Sequence, residues 1–195
     1  MALSSVQPYT YEQRLAACQC IQGFIFNNSE GREGLLAKLI QAYMDEKPDN
    51  LLYYLLNLTD TSQKDPYRIW FACIVLLHLL KGSTTAKQML RQISLGDTSS
   101  GEEAVSVLQQ LNANISTCLI NSSDARIAVG YLMLLCIWLH EDALSVKDFL
   151  EESSGIQVLI GTVAQAQERI FVPGLAAVLL GICVEFNSNT SSLPP

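Results

Sequence analysis

Apolar residues along this chain recur at three- and four-residue steps, and sustained two-residue alternation is absent. The clearest case lies within 101–120, where Ala104, Leu108, Leu111, Ile115 and Cys118 share one helical face. The opposite face carries Ser106, Gln109, Gln110, Asn114 and Thr117, which are polar but uncharged. Ten helices follow from such patterns, over 11–28, 31–45, 49–58, 66–81, 84–95, 101–120, 124–140, 143–152, 155–167 and 169–186.

Local punctuation agrees with these limits. Thr10 to Gln13 has the spacing of a capping box, and Ser100–Glu103 and Ser145–Asp148 have similar spacing. Asp65-Pro66 reads as an N-cap with proline at the first helical position, where no N–H is needed. Gly82 and Gly96 follow apolar runs and read as helix stops.

The pattern also repeats. Arg14-Leu15-Ala16-Ala17-Cys18, Arg68-Ile69-Trp70-Phe71-Ala72 and Arg126-Ile127-Ala128-Val129-Gly130 each open about four turns of mostly apolar residues. Each run ends in a polar break: Asn27-Asn28, Lys81-Gly82 or His140-Glu141-Asp142. A shorter amphipathic helix follows each break. Gly174–Leu180 opens a fourth unit, with Arg169 displaced by one position. The arginines stand about 40–60 residues apart, a period that suits armadillo or HEAT units with variable loops. Helices apolar all round must be covered on both sides, which places them in the middle layer of a solenoid.

The fold expected is therefore an all-α, armadillo/HEAT-like α-solenoid of about four repeats, at approximately 11–58, 64–120, 122–167 and 169–187. Residues 1–10 and 188–195 fall outside the repeats. The last helix is apolar nearly all round, whereas a terminal repeat normally has a polar outer face. The expectation is a fragment of a longer solenoid.

Composition narrows the function. Of the 195 residues, 49% are hydrophobic and 16% charged, so the chain has enough apolar material for a large core, and disorder is excluded. The net charge of −7 and pI near 4.7 argue against a nucleic-acid partner, which calls for a basic stripe. The longest nearly uncharged apolar runs, Ile127–Leu139 and Gly174–Val184, are too short to cross a bilayer. The N-terminal residues lack the pattern of a secretory signal. The six cysteines show no C-x-x-C spacing and read as reduced core thiols of a cytosolic protein. Asn27, Asn57, Asn114, Asn121 and Asn189 each begin an N-x-S/T pattern, several of them inside expected helices.

Catalytic signatures are missing. The two histidines, His78 and His140, have no metal-ligand spacing. His78 reads as a hydrogen-bonded core residue, and Trp70 and Trp138 as core. No nucleophile elbow, phosphate loop or dinucleotide fingerprint is present. The reading is a non-enzymatic binding protein without a cofactor.

Charge is uneven. Residues 64–96 hold Lys64, Arg68, Lys81, Lys87 and Arg91 against Asp65 alone, while the stretch from 97 onward is acidic. The candidate protein-binding residues are Lys87 and Arg91 in the basic segment, with Gln109, Gln110 and Asn114 on the uncharged helix face. The repeated Arg14, Arg68 and Arg126 read as structural, each bridging to a carboxylate or carbonyl with its stem on the core.

Three helices, in order, carry a family resemblance. Arg68–Leu80, Gly130–Leu139 and Gly174–Phe186 resemble helices in the globular head of the general vesicular transport factor family, and Arg14–Phe26 also fits. The resemblance implies part of an armadillo-like head of a protein tethering vesicles between ER and Golgi. It implies partners among Rab-type GTPases, SNAREs, golgins and tethering-complex subunits, with indirect attachment to Golgi and vesicle membranes. It also implies elongated homodimers built on a coiled coil, of which this chain carries no heptad segment. It assigns no binding residue to a position here. The alternative reading is an unrelated armadillo or HEAT adaptor in the cytosol.

Overall fold

The computed structural model describes residues 9–47, 50–58, 65–96, 104–121, 124–151, 153–165 and 170–187. The Ser100–Glu103 capping pattern, Arg169, Asn189 and the tail 188–195 lie outside them. Among the described residues the chain forms ten α-helices and one short ribbon. The helices are α1 Tyr11–Ile25, α2 Ser29–Met44, α3 Leu51–Leu56, α4 Pro66–Leu80 and α5 Thr84–Arg91. They continue as α6 Val107–Ile120, α7 Ala125–Leu139, α8 Ala143–Glu151, α9 Ser153–Ala164 and α10 Phe171–Glu185.

These helices stack in rows, and the result is a helical solenoid. One row runs α1, α4, α7, α10, and a second runs α3, α6, α9. Helix α2 packs on α5, and Arg91 of α5 pairs at 3.3 Å with Asp142, the residue before α8. The all-apolar helices α4 and α7 take the middle of the first row, as their composition requires. Ile69, Phe71, Tyr131 and Trp138 are among their fully or nearly fully buried side chains. Trp138 donates its indole N–H to Ser145 at 3.1 Å, so the polar edge of the ring is satisfied inside the core.

The stack repeats one device at the end of each long helix. Helices α1, α4 and α7 close on C-cap residues Phe26, Lys81 and His140. The next residues, Asn27, Gly82 and Glu141, adopt φ of 50°, 66° and 55°, the left-handed turn that ends a helix. The residues after those, Asn28, Ser83 and Asp142, cap the following helix by accepting from the N–H of Gly31, Ala86 and Ser145. Helices α5 and α8 are shorter than the helices they follow, as expected, while α2 is as long as α1. The polar breaks read from the sequence are these corners.

The first row is held together at its helix starts as well. Arg14, only 4% exposed, grips Asp65 with both guanidinium arms, at 3.0 and 2.6 Å. Asp65 precedes α4 and makes no side-chain cap, because its carboxylate is committed to Arg14 and to Arg68 at 3.4 Å. Arg126 clasps Asp124 and lies 4.5 Å from the centroid of the Tyr67 ring. Tyr67 in turn packs against Tyr11 and Phe71. Arg14 and Arg126 are cross-ties between successive long helices, whereas Arg68 holds Asp65 at the start of its own helix and stacks over Tyr54 of α3.

Several local readings need correction. The helix expected over 101–120 begins at Val107, because Val105 and Ser106 pair antiparallel with Leu95 and Ser94. Its capping box is Ser106 with Gln109. The same pairing ends α5 at Arg91, so Gly96, at φ 99°, follows a strand rather than a helix. Ser145 lies inside α8, and the cap is Asp142, whose carboxylate takes both the N–H and the hydroxyl of Ser145. The Thr10–Gln13 capping box forms as read.

His78 is half-buried and makes no hydrogen bond among the described residues, contrary to expectation. Burial and the nearby Lys81 hold its pKa below the ordinary histidine value, so the ring is neutral at pH 7. Trp70 is only partly buried, whereas Trp138 is core. All six cysteines are free, with Cys20 exposed.

Candidate protein-binding surfaces

The sequence candidates occupy two separate places. Lys87 and Arg91 stand on α5, beside the α4–α5 and α7–α8 corners. Gln109, Gln110 and Asn114 stand on α6, beside α9.

Lys87 is 6% exposed, and its Nζ donates to the His140 carbonyl at 2.5 Å. A cation at a helix C-terminus satisfies an orphan carbonyl and opposes the negative end of the dipole. Burial lowers the lysine pKa, while Asp142 and Glu141 work in the opposite direction. The same contact occurs one repeat earlier. Arg32, the fourth residue of α2 as Lys87 is of α5, donates to the Lys81 carbonyl at 3.0 Å. At the fourth position of α8 the residue is Val146, fully buried. There His140 packs edge-on against Phe186 instead, with centroids 5.0 Å apart. Arg91 pairs with Asp142, so much of the basic segment is turned inward as staples between repeats.

One groove remains open at this corner. It has a volume of about 390 Å³ and is lined by Lys81, Ser83, Thr84, Lys87, His140 and Glu141, among others. Lys81, Thr84, His140 and Glu141 are exposed. Sequence reasoning singled out Lys87 but missed Lys81, Thr84 and His140 as its neighbours. The available signal was the polar break after each long helix, which marks where a corner opens.

On α6, Asn114 is buried and donates to the Leu55 and Leu56 carbonyls at 3.0 and 3.2 Å. It also donates to the Tyr131 hydroxyl, which itself donates to the Leu55 carbonyl at 2.7 Å. These contacts satisfy the end of α3, which has only six residues and exposes carbonyls no further turn can use. Desolvation raises the Tyr131 pKa well above its ordinary value, so the hydroxyl stays a donor. Gln109 serves the capping box, and Gln110 donates to Asn114 at 3.0 Å. Both glutamines are half-buried and border a groove of about 280 Å³ with Ala113, Ser116 and Ser154. The structure does not bring this groove and the Lys87 corner together.

Among the described residues no group of three or more His, Cys, Asp or Glu side chains is placed to hold a metal ion. No helix there is long and apolar enough to cross a membrane.

Comparison with known proteins places this arrangement. The family model of the Uso1 / p115 like vesicle tethering protein, head region, matches residues 1–195. The chain is 33% identical to the rat general vesicular transport factor p115 over 186 residues, covering 94% of this chain and 19% of that protein. It is 32% identical to the human protein over the same length. It is 29% identical over 150 residues to the intracellular protein transport protein USO1 of Saccharomyces cerevisiae, covering 74% of this chain and 8% of the yeast protein. The crystal structure of Uso1-2 superposes with a TM-score of 0.80 at 23% identity, over 99% of this chain and 29% of that one. That likeness shares the fold. The chain spans about a fifth of the p115 proteins it matches. It belongs to the Uso1/p115-like vesicle tethering proteins, as a segment of their head region.

Proposed function

We propose that this chain is a non-enzymatic protein-interaction module within the head of a tether that captures vesicles between ER and Golgi. Its work is binding. Successive repeats present a rigid surface on which partner proteins dock, and membrane attachment runs through those partners. The partners are drawn from Rab-type GTPases, SNAREs, golgins and tethering-complex subunits. The protein acts at Golgi and ER-derived vesicle membranes from the cytoplasmic side, and its full-length form is a homodimer.

The observation that carries this reading is the family match across the whole chain on a helical solenoid. The open grooves support it. Each is shallow and edged by amides, hydroxyls or isolated charges, a chemistry that suits protein recognition better than enclosure of a small substrate. The candidate contacts are Lys87 and Arg91 at one corner and Gln109 and Gln110 at the other groove, where Asn114, buried against the end of α3, holds Gln110 from behind. In each set the more exposed neighbours make first contact.

The test is a pull-down from cytosol and detergent-solubilised Golgi membranes with the 195-residue chain as bait and prey identified by mass spectrometry. Enrichment of early-secretory GTPases, SNAREs, golgins or tethering subunits is expected. A helical, monodisperse bait that enriches none of these classes would overturn the reading.

A further inference from the structure

We propose that the groove at the α4–α5 corner binds an acidic segment of a partner protein, receiving one of its carboxylates between Lys81 and Lys87. This deepens the scaffold reading by naming the partner chemistry at one of its surfaces.

The ammonium of Lys87 has an incomplete set of hydrogen bonds. An ammonium group has three donors. Lys87 is only 6% exposed, and His140 supplies its one hydrogen-bond acceptor among the described residues. The His140 carbonyl uses one of these donors, and the remaining two are free to serve a water, an ion or a ligand. Lys87 forms part of the groove wall, so such a partner arrives from the groove.

Other donors converge there. The N-terminus of α5 opens onto the groove at Ser83 and Thr84. The Ser83 hydroxyl serves the N–H of Ala86, which leaves the Thr84 and Thr85 N–H groups without an acceptor among the described residues. The positive end of that helix favours an anion. Lys81 is exposed at the rim and has no carboxylate partner among the described residues.

Charge selects the occupant. Lys81, Lys87 and Arg91 stand against Glu141 and Asp142 at this corner, with Asp142 paired to Arg91, so the corner holds one positive charge in excess. That balance suits one side-chain carboxylate better than a dianionic phosphate. The whole chain carries a net charge of −7, which repels an anionic membrane surface at long range. A protein segment with spaced acidic residues brings far fewer charges against that repulsion and offers one carboxylate at a time to the groove.

The test is titration of the 195-residue chain, followed by amide NMR shifts, with a ten-residue peptide of alternating Gly and Glu. A peptide of alternating Gly and Gln serves as control. Shifts are expected at Lys81–Thr85 and at His140 and Glu141 with the Glu peptide alone, and affinity falls as salt is raised. Lys81→Glu is expected to weaken binding at least tenfold. Thr84→Pro, which removes one N–H at a position where proline suits a helix, weakens it several-fold. Glu141→Gln tightens it. Lys47→Glu, at an exposed lysine outside the groove, leaves it unchanged. Thermal melts of each variant verify that the fold is intact.

Absence of binding at millimolar peptide would overturn the proposal. So would equal binding of the Gln peptide, or equal weakening by Lys81→Glu and Lys47→Glu. Shifts at the corner with inorganic phosphate but none with the Glu peptide would reassign the groove to a free oxyanion. Peptide binding at the corner alongside a pull-down empty of secretory proteins would remove the tethering role and leave this site standing.

Discussion

Asn112 on α6 lays its carboxamide against Gly155 on α9, in the space that a Cβ at position 155 would occupy. Asn112 is 3% exposed, and neither of its side-chain polar atoms has a hydrogen-bond partner among the described residues. Two helices therefore approach closely at a glycine, with a buried amide that gains little from the contact. Gly155→Ala is expected to cost about 1–3 kcal/mol through overpacking. Asn112→Ala is expected to be nearly neutral, because losing its packing is offset by losing unpaired polar atoms. In the Asn112→Ala background, Gly155→Ala becomes neutral or stabilising, since helix propensity favours alanine by about 1 kcal/mol. A double-mutant cycle by urea denaturation reads this coupling, and additive effects would contradict it.

Arg14 and Asp65 tie the first long helix to the second. Asp65→Asn leaves a nearly buried guanidinium facing a neutral amide, and is expected to cost about 2–3 kcal/mol. Replacing Arg14 by methionine, which keeps the stem and deletes the charge, is expected to cost less. The order of the two urea midpoints checks it.

Glu141 adopts a left-handed turn that a glycine, as at Gly82 in the preceding repeat, enters without strain. Glu141→Gly is expected to raise stability by about 1 kcal/mol. Gly82→Glu is expected to lower it by a similar amount. Calorimetry of both variants provides the comparison.

Buried thiols make stability fall at high pH. Desolvation, with the neighbouring Cys183, pushes the Cys136 thiol up to about 12, and burial pushes Cys183 up to about 11, against 9.0 when unperturbed. The folded chain then holds protons that the unfolded chain releases. The thiol contribution is intact below pH 9 and is lost progressively as pH rises toward the folded values. Each thiol adds a slope of up to about 1.4 kcal/mol per pH unit in that window. Cys183→Ala is expected to flatten the decline between pH 9 and 11 by one thiol's share. An unchanged slope in urea titrations would refute the assignment.

Legibility differed from element to element. The helices at Arg14, Arg68 and Arg126 were readable because a long apolar run with a polar break is a local signal. The Thr10–Gln13 box was readable because its partners are three residues apart. The start of α6 was not, because Val105 and Ser106 are drawn into a ribbon with Leu95 and Ser94 across an intervening loop. Asp142 and Ser145 are both plausible caps, and the contact with Arg91 on another helix favours Asp142.

The candidate site was less legible than the fold. Lys87 and Arg91 were noticed as a basic cluster, but cluster and surface are different properties. Lys87 meets a carbonyl at the end of α7, and Arg91 meets Asp142, each more than fifty residues onward. Asn114 reads as part of a polar face, yet it closes the end of α3 from within.

By itself the sequence determined the helices, their repetition and the apolar middle row, because hydrophobic periodicity and capping act within a few residues. Only the tertiary structure decided which polar residues are staples and which remain open to a partner. That distinction depends on whether a carbonyl or carboxylate from the next repeat arrives within hydrogen-bond reach. The stacking of helices far apart in the chain sets that distance.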